Sequence, residues 1–272
     1  MPTLALDAAN AIAYRWTAPR AGRPSIVLYN PLTGDLGMWE AAIAPALHEA
    51  GLGVLLWNYR GQKESPIGAD VLITTEQMTQ DAKLIIEHVE PPAPIHVGHS
   101  IGGYFAIRAR EAGAPAAGFV LINTLRADGP RLAWLNDALV ACARVGGLGL
   151  VRDLYAPLLF GEDWQRRNRG SFLKGEGYTP LGEGDEDLRL LAAGSTADWS
   201  ITWEAVDLPV VVLTGAEDRV FLDPAVVESI LARLPQATAA LVDGAGHMLP
   251  VEAPETAIEA CLDVAAIVER RR

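Results

Sequence analysis

The sequence predicts an α/β fold with a mainly parallel sheet and helices on both faces. Four near-continuous apolar runs are typical of strands that are buried on both faces. They are "SIVLYN" (25–30), "GVLLWNY" (53–59), "IHVGH" (95–99) and "AGFVLINT" (117–124). Segments with helical spacing separate them, at 37–49, 75–89 and 101–112. This alternation indicates parallel strands joined by crossover helices, with "LALDA" and "IAYRWTA" as two opening strands.

The alternation stops after Thr124 and returns near residue 209. From 126 to 203 the sequence contains no strand-like run, and its apolar residues fall mainly at helical spacing. The earlier pattern then resumes as two strands and two helices: strand 209–215, helix 224–234, strand 237–244 and helix 255–270. We therefore predict one core domain, formed by 1–125 and 204–272, and a helical insertion, 126–203.

Composition narrows the classes of partner. The chain has 272 residues and a net charge of −12, which argues against nucleic acid or an anionic membrane as its partner. Cys142 and Cys261 lack the spacing of a metal site or a disulfide framework. The N-terminal segment lacks the basic start and following apolar run that are typical of a leader peptide. No uninterrupted apolar stretch approaches membrane-spanning length. We expect a cytoplasmic protein that contacts neither membranes nor nucleic acid.

A glycine-flanked serine stands between a predicted strand and a predicted helix. Gly98-His99-Ser100-Ile101-Gly102 matches the pattern G-x-S-x-G in the strand–turn–helix context that the pattern requires. Such a turn strains the serine backbone, and small residues two positions away on each side relieve the crowding. The hydroxyl would then project from the carboxyl edge of the sheet, where open α/β sheets bind ligands. The alternative is a glycine-rich turn with an inert serine.

A serine hydroxyl needs a base, and the base needs an orienting carboxylate. His247 follows a predicted strand and can reach across the sheet edge, although a histidine there can also be a plain surface residue. Asp218 follows the preceding strand, and its alternatives are a helix-capping role or replacement by the neighbouring Glu217. The order Ser100, Asp218, His247 is the order expected of a hydrolase with a nucleophile elbow.

The segments "GHSIGG", "TGAEDRV" and "GAGHMLPVEAPE" resemble the α/β-hydrolase superfamily, and the resemblance extends over nearly the whole chain. It implies an eight-stranded, mostly parallel sheet with helices on both faces and a helical lid inserted after the sixth strand. It also implies Ser100 as nucleophile, His247 as base and Asp218 as the partner of the base.

The stretch "YNPLTGDLGMWE" departs from the His-Gly of many relatives and resembles an enol-lactonase and small-ester branch. Pro31 has no N–H, so the oxyanion donors would be the amides of Leu32 and Ile101. In "WNYRGQKES", Asn58 and Lys63 stand where the family usually has Asp and Gly.

The resemblance implies a hydrolase that cleaves a small carboxylic ester or lactone through an acyl-enzyme, with no metal or organic cofactor. The same three residues would also serve a C–C bond hydrolase of the meta-cleavage type or a thioesterase, and a non-catalytic ligand-binding protein is the alternative of another class. The candidates for substrate binding are Asn30, Trp134, Tyr155, Phe160, Trp164, Arg126 and Arg131. The alternative for these side chains is packing on the core or exposure to solvent.

Overall fold

Eight strands form one sheet in the computed structural model, which describes residues 1–173 and 177–272. The strands are β1 (Thr3–Ala5), β2 (Ala11–Thr17), β3 (Ser25–Tyr29), β4 (Gly53–Trp57), β5 (Pro94–His99), β6 (Gly118–Ile122), β7 (Val210–Gly215) and β8 (Ala237–Val242). Their order across the sheet is β1-β2-β4-β3-β5-β6-β7-β8. The pairs β1–β2 and β2–β4 are antiparallel, and all later pairs are parallel. The predicted eight-stranded, mostly parallel sheet is confirmed.

Helices cover both faces of this sheet. They are α1 (Gly37–Glu40), α2 (Ile43–Glu49), α3 (Thr75–Val89), α4 (Ile101–Glu111), α5 (Pro130–Leu159), α6 (Glu162–Asn168), α7 (Glu186–Gly194), α8 (Pro224–Leu231), α9 (Leu249–Glu252) and α10 (Pro254–Arg270). Successive side chains of β3 point to opposite faces, as strand geometry requires. Val27 and Tyr29 pack with α3 and α4, whereas Ile26 and Leu28 pack with α2 and α10. The central strands are therefore buried on both faces.

The helix predicted over 37–49 is two helices in the structure. Ala42 separates α1 from α2, with φ −141° and ψ −48° outside the helical region. Pro45 explains the break, because a proline has no N–H for the carbonyl four residues earlier and its ring collides with that carbonyl. A continuous helix through Ala41 is therefore disfavoured.

The helical insertion (126–203) lies between β6 and β7. It contains α5, α6 and α7, and the described part of it contains no strand. Residues 174–176 of the insertion lie outside the described residues. Helix α5 has a kink within the segment "GGLGL" (146–150), where Gly147 has φ 67° and ψ −170°.

Helix α5 has the length and mean hydropathy of a membrane-spanning helix. The sequence-based expectation concerned uninterrupted apolar stretches, and charged residues interrupt this helix. The helix is kinked at Gly147, and it carries Arg144 before the kink and Arg152 and Asp153 after it. Its buried residues form a small core with Leu188 and Leu191 of α7. In this structure α5 is thus a packed element of the helical insertion.

Candidate active site

Ser100 occupies the turn between β5 and α4 in a strained backbone conformation. Its φ of 58° and ψ of −127° are rare for a residue with a side chain. Neighbouring groups hold it there: the Ser100 N–H donates to the Ile122 carbonyl at 2.8 Å, and the Ser100 carbonyl accepts from the Thr124 hydroxyl at 3.0 Å. Strain that is fixed from several sides in this way is typical of a functional position.

The two flanking glycines permit a close approach of backbone segments. A Cβ at Gly98 would lie 2.3 Å from Cα of Gly103. A Cβ at Gly102 would lie 2.5 Å from the carbonyl oxygen of Tyr29, at the end of β3. Both contacts are with backbone atoms, which cannot rotate away as a side chain can. The G-x-S-x-G spacing is therefore required by packing around the turn.

Asp218 and His247 form a buried hydrogen-bonded pair at the same edge of the sheet. Asp218 follows β7, His247 follows β8, and His247 Nδ1 lies 2.6 Å from Asp218 Oδ2. The other carboxylate oxygen accepts the N–H groups of Val220 and Phe221 at 3.0 and 2.9 Å. Burial alone would raise the pKa of the Asp218 carboxyl, but His247, the Phe221 amide and Arg126 outweigh it and lower the pKa to about 2. Asp218 is therefore a carboxylate at neutral pH, and it can fix the orientation and tautomer of His247.

Asn123, which is not among the residues predicted from the sequence, holds the loop that carries His247. Its side-chain amide donates to the carbonyls of His247 and Gly246 at 2.8 and 3.1 Å, and its oxygen accepts the Gly215 N–H at 2.8 Å. His99 also contacts the His247 carbonyl through Nε2, at 2.7 Å. The available signal was a polar residue directly after a buried strand, in "LINT". Asn123 thus joins the ends of β6, β7 and the loop after β8.

Arg126 contacts the candidate nucleophile directly. Its Nη2 donates to Ser100 Oγ at 2.7 Å, and its guanidinium lies 3.8 Å from the ring centre of Phe221. Among the described residues, no hydrogen bond joins Ser100 to His247, although both side chains line one cavity. Catalytic hydrogen bonds are often long or misaligned before substrate binds. The hydroxyl oxygen accepts from Arg126, which leaves its proton free for a base.

The predicted oxyanion donors flank Ser100. Leu32 follows β3 and Ile101 begins α4, and both line the cavity. Within the described residues, neither amide donates a hydrogen bond to a protein group. Gln62 fixes the loop at Leu32, because its side-chain amide donates to the carbonyls of Pro31 and Leu32 at 2.9 and 3.3 Å. Two free amides beside a serine can accept a developing negative charge.

A cavity of about 130 Å³ opens beside Ser100. Residues after the strand ends form its floor, and residues of α5 and α7 form its roof. Besides the residues already described, its walls include Asn136, Leu139, Val151, Leu159, Leu191, Gly194, Ser195 and Met248. The described residues contain no cluster of three or more His, Cys, Asp or Glu side chains suited to a metal ion.

Of the predicted substrate-binding residues, the structure places Arg126 on the wall of the cavity and the others outside it. Asn30 is buried beside it, where its amide donates to Trp57 O, Asn58 Oδ1 and Gln62 Oε1 and its oxygen accepts from Trp39 Nε1. The aromatic residues of the helical insertion lie elsewhere.

Trp134 is 79% exposed, Phe160 stacks on Trp164 at 3.7 Å between ring centres, and Tyr155 packs against the small core of α5 and α7. Arg131 donates to the backbone carbonyls of Val220 and Leu222. Helical spacing alone does not tell which face of an inserted helix meets the sheet, so the sequence could not place these side chains relative to the cavity.

Two curated relatives are similar in sequence, and both are named putative carbamate hydrolase RutD. The protein from Caulobacter segnis is 24% identical over 244 residues, which cover 88% of this chain and 90% of the relative. The protein from Variovorax paradoxus is 29% identical over 118 residues, which cover 43% of this chain and 44% of the relative. The chain therefore spans less than half of the Variovorax relative in that alignment.

Solved structures share the fold over almost the whole chain. The enol-lactonase from Burkholderia xenovorans LB400 superposes with a TM-score of 0.79 at 24% identity, covering 97% of this chain and 100% of that one. A thermophilic esterase from Thermogutta terrifontis gives a TM-score of 0.76 at 23% identity, covering 98% and 97%. The family model described as alpha/beta hydrolase family matches residues 11–260. The strand order, the turn at Ser100 and this match agree: the chain belongs to the alpha/beta hydrolase family.

Proposed function

We propose that the protein is a serine hydrolase that cleaves a small carboxylic ester or lactone through an acyl-enzyme. The observation that carries this proposal is the buried Asp218–His247 pair, 2.6 Å apart, in one cavity with the strained Ser100. A fold needs neither a strained serine nor a buried, oriented imidazole at this edge for stability alone. Together they are the parts of an activated nucleophile.

The proposed reaction begins when Ser100 Oγ attacks the carbonyl carbon and His247 Nε2 takes the hydroxyl proton. The carbonyl oxygen becomes negative and accepts the N–H groups of Leu32 and Ile101, each worth about 3 kcal/mol in such sites. Protonated His247 then gives its proton to the leaving oxygen, and the carbon–oxygen bond of the ester breaks. Water repeats the sequence on the acyl-enzyme and releases the acid. Asp218 keeps the proton of neutral His247 on Nδ1 and stabilises its charged form.

The size of the cavity favours small acyl groups. Its volume of about 130 Å³ is close to that of an engineered protein cavity of about 150 Å³ that binds benzene. A substrate portion of about six non-hydrogen atoms therefore fits without movement of the helical insertion. Leu139, Val151 and Leu191 make the roof apolar, which suits a short hydrocarbon portion.

Carbamate cleavage is the second candidate, because both curated relatives carry the name putative carbamate hydrolase. A carbamate has a carbonyl carbon between nitrogen and oxygen, and the same serine, base and oxyanion donors would act on it. Thioester cleavage and C–C bond cleavage use the same three residues, so the leaving group is what separates these reactions. A ligand-binding protein without turnover would not need the His247–Asp218 pair.

The test is turnover of a substrate panel by the purified protein. The panel contains aryl esters of graded acyl length, lactones, a carbamate, a thioester and a meta-cleavage-type diketone. We expect the highest kcat/KM for a short ester or a lactone, and we expect Ser100→Ala to abolish it. Ser229→Ala, which changes an exposed serine of α8, is the matched control and retains wild-type rates. Turnover of no substrate, or wild-type turnover by Ser100→Ala, would contradict the proposal.

A further inference from the structure

Arg126 is a buried cation that pairs with no carboxylate in the described part of the chain. Arg126 is only 7% exposed. Among the described residues, no carboxylate oxygen lies within 4.0 Å of its guanidinium. Nη2 donates to Ser100 Oγ at 2.7 Å and to the Asn123 carbonyl at 3.4 Å, whereas Nε has no hydrogen-bond partner in the described part of the chain. Burying an unpaired charge costs several kcal/mol. The fold gains no ion pair in return.

Other arginines of the chain show what a structural role looks like. Arg60 is also largely buried, but it makes two parallel hydrogen bonds to Asp81, at 2.7 and 2.8 Å. Arg131, in the first turn of α5, donates to the backbone carbonyls of Val220 and Leu222. Arg126 instead lines the cavity and leaves donors unused beside the nucleophile. It is placed to bind a ligand.

The charge of Arg126 persists at neutral pH. Burial lowers the pKa of its guanidinium to about 10, and the nearby Asp218 opposes this effect. Phe221 stacks against one side of the guanidinium, which restricts its motion and leaves its edge for hydrogen bonding. A rigid, planar cation with free N–H groups matches a carboxylate, which can accept two parallel hydrogen bonds.

We propose that Arg126 binds a carboxylate of the substrate, so that the preferred ester or lactone is an acid with its carboxylate close to the reacting carbonyl. This inference rests on the proposed function. Because Nη2 lies 2.7 Å from Ser100 Oγ, a carboxylate oxygen bound to Nη2 lies at most about 7 Å from the carbon bonded to Oγ. Only a few carbon–carbon bonds therefore separate the carboxylate from the reacting carbonyl. Half-esters of short dicarboxylic acids have this separation.

Binding of the carboxylate would also release the nucleophile. Arg126 shifts its Nη2 hydrogen bond from Ser100 Oγ to the ligand, and Oγ keeps its own proton. The hydroxyl is then free to turn toward His247 Nε2. An acidic substrate thus satisfies the buried cation and completes the hydrogen bond between Ser100 and His247 in one step.

The experiment compares monoethyl succinate with ethyl succinamate, which replaces the carboxylate by a neutral amide of nearly the same size. Ethanol release by NMR gives kcat/KM for wild type, Arg126→Gln, Arg126→Lys and Arg144→Gln. Arg144 is an exposed arginine of α5 and serves as the charge control. We expect wild type and Arg144→Gln to prefer the acid by about 10- to 100-fold, the range that hydrogen bonds to charged groups give. Arg126→Gln loses this preference, and Arg126→Lys retains part of it.

The ratio of the two esters is the readout, so a change that affects both equally cancels. If wild type hydrolyses both esters without preference, or if folded Arg126→Gln or Arg126→Lys keeps the full preference, the carboxylate site is wrong and the hydrolase proposal stands. If wild type hydrolyses no ester, the hydrolase proposal fails. The unfolding temperature measured with succinate and with succinamide then tests the carboxylate site separately. A rise with succinate alone in wild type, lost in Arg126→Gln, supports the site. Equal rises with both compounds overturn it.

Discussion

Neighbouring groups hold Ser100 and the Asp218–His247 pair in fixed positions at the edge of the sheet. Ser100 holds a positive φ because its amide and carbonyl are both bound, and the glycines around it allow the backbone to pass within contact distance. One carboxylate oxygen of Asp218 accepts two backbone amides, and the other is hydrogen-bonded to His247. Each residue is thus held by groups from another strand end, and this makes the geometry rigid.

Asp218→Asn should lower kcat by about 10³- to 10⁴-fold with little effect on the fold. The asparagine keeps an oxygen for the amides of Val220 and Phe221, but its NH₂ group faces His247 Nδ1 and favours the wrong tautomer. Steady-state kinetics on the best ester of the panel measures the loss. Glu217→Gln is the control, since Glu217 binds the Glu162 amide and Arg219 on the surface. Loss of activity in that variant alone would reverse the assignment of the carboxylate.

Sequence predicted these three residues because each follows a recognisable strand end, and the carboxyl ends of parallel strands share one edge. Arg126 was predicted as a substrate-binding candidate, but its contact with Ser100 Oγ was not. Asn123 and Gln62 were missed, because their hydrogen bonds join segments far apart in the chain. Such partners are set by the sheet order and by loop shapes, which no local pattern contains.

Strand β5 carries two buried histidines, and only one of them lies at the candidate active site. His96 is fully buried. Its Nδ1 lies 2.8 Å from the Tyr29 hydroxyl, and its Nε2 lies 2.9 Å from the Pro115 carbonyl oxygen. A carbonyl can only accept, so Nε2 carries the proton and Nδ1 accepts from the tyrosine hydroxyl. Burial lowers the pKa of His96 to about 4, which keeps the ring neutral in the folded protein. His96 is therefore a structural neutral imidazole.

Because of His96, we expect the free energy of unfolding to fall as the pH drops from 6.5 toward about 4. Over that range the unfolded chain binds a proton that the folded chain excludes, so protons favour unfolding. Urea unfolding at about pH 7 and about pH 5 should show wild type losing about 2 kcal/mol more than His96→Gln. The comparison uses the change with pH, which removes the constant cost of the substitution. An identical change in both proteins would mean that His96 titrates normally in the folded state.

At the scale of elements, apolar runs predicted the parallel strands because burial on both faces removes the alternation of exposed strands. Helix boundaries were less predictable. Pro45 split one predicted helix into α1 and α2, while Gly147 kinked α5 without ending it. A glycine supplies its positive φ and the helix resumes, whereas a proline also removes a donor. Packing of α5 against α7 then decides that the kinked helix persists.

Across the whole molecule, the helical insertion is attached to the loops that carry Asp218 and His247. The last carbonyls of α5 accept the amides of both loops: Leu158 accepts from Arg219, and Leu159 accepts from His247. Glu252 adds a third link, because its carboxylate accepts the Gly161 amide of the insertion and the Gly246 amide beside His247. The insertion therefore supports the loops that carry Asp218 and His247 as well as covering the cavity.

Glu252→Gln should weaken this junction, because an amide offers one acceptor oxygen where the carboxylate offers two. Losing a hydrogen bond to a charged group costs about 2 kcal/mol. We expect a lower kcat/KM and faster proteolytic cleavage near Gly161. Glu259→Gln, at an exposed position of α10, is the matched control. Wild-type kinetics and wild-type cleavage in Glu252→Gln would show that the insertion does not depend on this link.

The most direct test of the central claim is the site and rate of fluorophosphonate labelling, measured by intact mass and peptide mapping. Such a probe reacts with an activated serine and leaves an ordinary hydroxyl unmodified. We predict a single adduct on Ser100 in wild type, no adduct in Ser100→Ala, and labelling slowed by orders of magnitude in His247→Ala and Asp218→Asn. An unlabelled wild-type protein, or an adduct that forms at the same rate without His247, would contradict the account.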